Sequence, residues 1–125
     1  MAVSSKDSSG AGGRLSVRIV DVTDLEGPGL SDITSGSTTV YAMDLDNTAN
    51  GATTFFRIFD SSSPVFGADD PSVMIAVAAS TRQVWTVAQG LSLGTGMSLM
   101  ASTDDGAGTT GANPVASFNA SFVVV

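Results

Sequence analysis

The stretch Thr54-Phe55-Phe56-Arg57-Ile58-Phe59-Asp60 sets one arginine among three phenylalanines, with a carboxylate close behind. In a strand of period two, Phe55, Arg57 and Phe59 share one face, while Phe56, Ile58 and Asp60 share the other. Burying Phe56 and Ile58 then leaves Arg57 on the outer face between two exposed rings. A catalytic arginine needs a nucleophile or an acid–base partner, and the flanking residues indicate none. Arginine and aromatic residues are enriched where proteins meet proteins. Phe55, Arg57 and Phe59 are therefore read as an interface, with Lys6 and Arg14 counted with it, and a simply covered face stands as the equal alternative.

Three acidic pairs invite chemistry: Asp44/Asp46, Asp69/Asp70 and Asp104/Asp105. Paired carboxylates can cleave glycosides when they stand about 5–9 Å apart and one of them has a raised pKa. They can also bind calcium, but DLDNTANG lacks the acidic ligand at the twelfth loop position. Aspartate also caps and bends chains, and all three pairs flank predicted turns, so turn chemistry is the expectation. GAGTTG (106–111) matches a dinucleotide fingerprint in letters alone, because Asn113-Pro114 follows it and no helix opens. Trp85 reads first as a core anchor and second as a platform for a sugar ring. Asn119-Ala120-Ser121 is a formal glycosylation sequon inside a predicted strand.

Cysteine and histidine are absent, which removes disulfides, thiol nucleophiles and the commonest neutral-pH base and metal ligand. No cofactor, transition metal or enzymatic activity is expected. The net charge of −7 rests on twelve acidic against five basic residues. The basic residues are scattered, so nucleic acid is excluded as a partner. Charged residues make up 14% of the chain, against about 25% in an average soluble domain. A neutral polar surface resists close association weakly, which favours assembly. No apolar run approaches the roughly 20 residues of a membrane helix, and MAVSSKDSSGAGG lacks the apolar core of a signal peptide.

The elements that position these residues are short and of β type. Residues 1–13 read as a flexible arm and residues 14–125 as one domain. LSVRIVDV alternates Leu15, Val17 and Ile19 against Ser16 and Arg18. TTVYAMDL sets Tyr41, Met43 and Leu45 on one face, and DNTANGA is a turn whose Asn50-Gly51 pair suits positive φ. SVMIAVA points Val73, Ile75 and Val77 inward, and Phe118, Ala120, Phe122 and Val124 share a face. No stretch sustains a helical period. The pattern predicts an all-β antiparallel sandwich, jelly-roll or Ig-like, of about seven short strands with an extended N-terminal arm.

FFRIFD (55–60), GADDPSVMIAVAAS (67–80) and GLSLGTGMSLMASTDD (90–105) together resemble small β-sandwich virion proteins of tailed bacteriophages, including cyanophages. The likeness runs from Thr38 to Val125 and carries no catalytic signature. It implies a structural role in the virion: a capsid decoration or cement protein contacting the major capsid protein or another virion protein. It also implies homo-oligomers, with trimers about local symmetry axes. A tail or baseplate component, and a carbohydrate-binding host-adhesion module using Trp85, Tyr41 or the acidic loops, stay open as alternatives.

Overall fold

The computed structural model describes residues 2–9, 16–104 and 113–125 of the chain, and its regular elements are all strands. They are β1 (Ala2–Ser9), β2 (Ser16–Thr23), β3 (Thr38–Asp46), β4 (Thr54–Asp60), β5 (Val73–Val77), β6 (Arg82–Leu93), β7 (Met97–Ser102) and β8 (Asn119–Val124). A five-stranded sheet has the order β1-β2-β8-β3-β6, and a three-stranded sheet has the order β5-β4-β7. Every pairing is antiparallel. The expected β-sandwich is present, with eight described strands where about seven were predicted.

Strand alternation builds the core between the sheets. Phe56 and Ile58 of β4 face Phe118 and Phe122, with the Phe56 ring 5.9 Å from each and near parallel to both. Val20, Val22, Val40, Met43, Leu45, Val77, Leu99 and Val124 complete the same cluster, and Val73 and Ile75 pack at its margin. Phe118, Ala120, Phe122 and Val124 share the buried face as predicted. Filling such a layer with rings and branched side chains is the main stabilising term, at about 25 cal/mol per Å² of apolar area removed from water.

Two faces differ from the sequence expectation. In β2 the core-facing residues are Val20 and Val22, and Ile19 is 40% exposed. Arg18 shares the Val20 face and reaches out at its end to donate to the Thr34 carbonyl at 3.1 Å. A one-residue change of phase inverts every side chain, and alternation alone does not fix which phase faces inward. In β3 the register shifts between Val40 and Ala42, so Val40 joins Met43 and Leu45 in the core while Tyr41 turns outward. Opposite Tyr41, β6 carries residues 87–90 as an outward bulge. Gly90 makes this bulge possible: its φ is +79°, and a Cβ there would lie 2.3 Å from Thr39 Cγ2.

The arm expected over residues 1–13 is a strand across Ala2–Ser9, paired with β2 from Ala2↔Thr23 to Ser9↔Ser16. Its side chains from Ala2 to Lys6 are exposed, so backbone hydrogen bonding holds it. Low apolar content signals the lack of burial but says nothing about an available sheet edge. The turn at 46–52 is also built differently: neither Asn50 nor Gly51 has positive φ, and Asn50 bonds through its side chain.

One long flank of the sandwich is closed. The segment after β2 runs along the outer edge of β7, with Leu30 and Leu99 exchanging both backbone bonds at 2.8 Å. Ile33 N donates to Met97 O, and Ala101 N donates to Glu26 O. On the opposite flank β5 and β6 end their sheets.

Candidate functional site

Arg57 sits at the centre of β4, the middle strand of the smaller sheet, and is fully buried. The outward placement expected from strand alternation is therefore corrected. Arg57 does point away from the main core, but that second face of the sheet is itself covered. Its Nη1 donates to Ser102 Oγ at 2.7 Å and to Phe55 O at 3.3 Å, and its Nη2 donates to Asp104 O at 2.5 Å. Phe59 is buried on the same side, with Phe66 edge-on at 5.3 Å. Gly29, with φ +73°, admits the Phe66 ring, which would lie 2.5 Å from a Cβ there. The long connection carrying Phe66 thus folds back over a face that a two-layer sandwich ordinarily exposes. Phe55 is half-buried and Lys6 is exposed on β1, while Arg14 lies outside the described residues. Of the four described interface residues, Arg57 and Phe59 are buried, so these four do not form one surface patch.

The outer face of the larger sheet holds the other cluster. Cross-strand register sets Ser4, Asp21, Ser121, Asp44 and Val84 in one lateral row. Asn119, Asp46 and Arg82 form the next row. All of these but Val84 line an open depression of about 390 Å³. Its charges are already engaged. Arg82 forks onto Asp44, with Nε 2.7 Å from Oδ1 and Nη2 on Oδ2. Ser121 Oγ donates to Asp21 Oδ1 at 2.5 Å, and Asn119 Oδ1 accepts from Asp24 N. Asp46 caps the turn after β3, accepting from Thr48 Oγ1 at 2.6 Å and Thr48 N at 3.0 Å. Those bonds, the hydroxyl first, hold the Asp46 carboxyl below its ordinary pKa. A glycosidase acid requires the opposite direction.

The other acidic residues also serve the chain's own geometry. Asp69 Oδ2 accepts from Val65 N at 2.9 Å, and the Asp104 carbonyl receives Arg57. Asp105 and GAGTTG (106–111) lie outside the described residues. Turn chemistry accounts for Asp46 and Asp69, whereas Asp44 lies within a strand and is an ion-pair partner. Among the described residues, no group of three or more acidic side chains is arranged to hold a metal ion.

Sequence reasoning passed over two polar hubs. Asp60 accepts from the amides of Thr95 at 2.8 Å and Gly94 at 3.0 Å, with Gly96 at 3.5 Å. These amides, Thr95 first, lower its pKa and fix the β6–β7 turn. Asn47 is fully buried and donates to the carbonyls of Ala52, Val77 and Ala78 at 3.0–3.1 Å, while accepting from Thr54 Oγ1. A buried amide at a strand end is recognisable only once its surrounding carbonyls are placed.

Trp85 is not the core anchor first expected. It pairs with Met43 on the inner side of β6, but that strand overhangs the smaller sheet and leaves the indole 46% exposed. Its Nε1 donates to Gln83 Oε1 at 3.1 Å, and Gln83 Nε2 in turn donates to Ala76 O on β5. Tyr41 is also partly exposed, at the bulge. No family model, curated protein or solved structure matches this chain.

Proposed function

We propose that this chain is a structural protein of a tailed-phage virion, a capsid decoration or cement protein that clamps neighbouring capsid subunits. The observation that carries the reading is the internal use of its chemistry-bearing groups. Arg57, Asp60, Asn47, Asp46 and the Asp44–Arg82 pair each bond to the chain's own turns and strands. What remains for partners is a stiff sandwich with a weakly charged surface, suited to packing in many copies. The sequence resemblance across Thr38 to Val125 supports the same reading and extends equally to a tail or baseplate position. Co-sedimentation of the purified chain with empty tailed-phage capsids tests it: binding at saturable stoichiometry is expected, and a chain that stays in the supernatant refutes the decoration role.

A second reading has its own observation. Trp85 and Tyr41 are both partly exposed, and an oriented aromatic face can stack on a sugar ring. A glycan array separates this adhesion role from the cement role.

A further inference from the structure

We propose that the flank formed by β5 and β6 is a two-fold contact between copies of this chain, centred on Trp85. The proposal concerns this chain alone and stands independently of its place in a virion.

Charge is the first observation. Between Asp70 and Asp104 the sequence carries a single charged residue, Arg82, and Asp44 neutralises it through a bidentate pair. That span supplies β5, β6 and β7. Outside that span twelve acidic residues stand against four basic ones, a net −8, so contacts made elsewhere on the surface bring more like charge together than contacts at this flank. Copies meeting through the β5/β6 flank bring no unpaired charge together.

Anchoring is the second. Trp85, 46% exposed on the inner side of β6, is the anchor of the flank, while Val84 at 67% and Met74 at 44% lie to either side of it on the outer faces of the larger and smaller sheets. Trp85 does not hang free, because the chain Trp85 Nε1 to Gln83 to Ala76 O ties the indole across the gap between the sheets. A tryptophan already held in one orientation loses little entropy on docking, which is the property of an interface hot spot. Among the described residues, both strands also end their sheets, leaving edge amides and carbonyls available. The bulge at 87–90 restricts regular edge pairing on β6 to the Arg82–Thr86 portion.

The counterpart is the same patch on a second copy. An acidic surface set against this flank would lose hydration without gaining a cation. The neutral edge of β5 and β6 with Trp85 at its centre, set against its own copy, carries no such cost, and a self-complementary surface generates a two-fold axis. Such a contact links copies in pairs, distinct from the three-fold clusters that the sequence resemblance implies.

Because Trp85 is the sole tryptophan, its fluorescence reports the contact directly. The full chain is followed by sedimentation velocity and by tryptophan emission over a concentration series, at low and high salt. A dimer is expected, accompanied by a blue shift, and salt should strengthen it by screening the repulsion between copies. Trp85→Ala and Met74→Glu should each remain monomeric with an unchanged far-UV CD spectrum. The proposal is overturned by a chain that stays monomeric with constant emission. It is equally overturned by a dimer that persists in both variants, by one that dissociates with salt, or by emission that responds to glycans but never to protein concentration.

Discussion

Replacing Arg57 tests whether a fully buried guanidinium pins the smaller sheet. Arg57→Ala removes bonds to Ser102 Oγ, Asp104 O and Phe55 O and leaves a void under the covering loops. Hydrogen bonds to charged groups contribute about 1.5–3 kcal/mol each, but they act here as one network and do not simply add. Truncating one of the largest fully buried side chains to alanine costs about 3–5 kcal/mol through lost contacts and the cavity left behind. An unfolding entropy near 2.1 cal/mol/K per residue gives about 0.26 kcal/mol/K for this chain, so the melting temperature should fall by roughly 12–19 °C. Arg57→Met should cost less than Arg57→Ala. It preserves most of the volume, and Ser102 Oγ already donates to Asp104 O at 3.2 Å, so the abandoned partners retain each other. Urea and thermal unfolding by CD measure both variants. An alanine variant within about 1 kcal/mol of the parent would refute the pin and return Arg57 to the surface.

Asn47→Asp should destabilise more than Asn47→Ala, because it turns a carboxylate toward the three carbonyls that the amide now serves; urea midpoints in the reverse order would contradict the hub. Asp46 and Asp60 have folded pKa values depressed by their amide and hydroxyl donors. Their contribution is therefore full above the unfolded carboxylate value of about 3.9 and is lost as pH falls below it, through the folded values. Melting temperature against pH should show this acid limb, and the double variant Asp46→Asn/Asp60→Asn should flatten it. Removing residues 1–9 should leave a cooperatively unfolding sandwich with a small drop in melting temperature, since the side chains of Ala2–Lys6 are exposed. A truncated chain lacking a cooperative transition would show that β1 is integral to the fold.

The β class and most strands were legible because period-two alternation and turn residues report directly on local backbone. The C-terminal face of Phe118, Ala120, Phe122 and Val124 is the clearest case. Tyr41 was misplaced because a bulge changes phase without changing composition. Arg57 was misplaced for a different reason: its alternation is correct, but the cover over its face comes from residues distant in sequence. The Asp44–Arg82 pair joins residues that neighbouring strands bring into reach, and no local pattern announces it. Trp85 depends on the relative widths of the two sheets, a property that only the assembled layers possess.

Strand β8 lies between β2 and β3, in the interior of the larger sheet. The bond from Ser121 to Asp21 spans 100 positions of sequence, so the strand that fills this slot is synthesised long after β2 and β3. Until it arrives, β2 and β3 present two facing rows of unsatisfied backbone groups, and closing so long a loop makes folding slow. A nascent chain can meet another molecule's Asn119–Val124 during that interval as readily as its own. Strand exchange at this slot is therefore the misassembly route built into the topology. High concentration during refolding should raise exchanged dimers, while dilution should favour the closed monomeric sandwich.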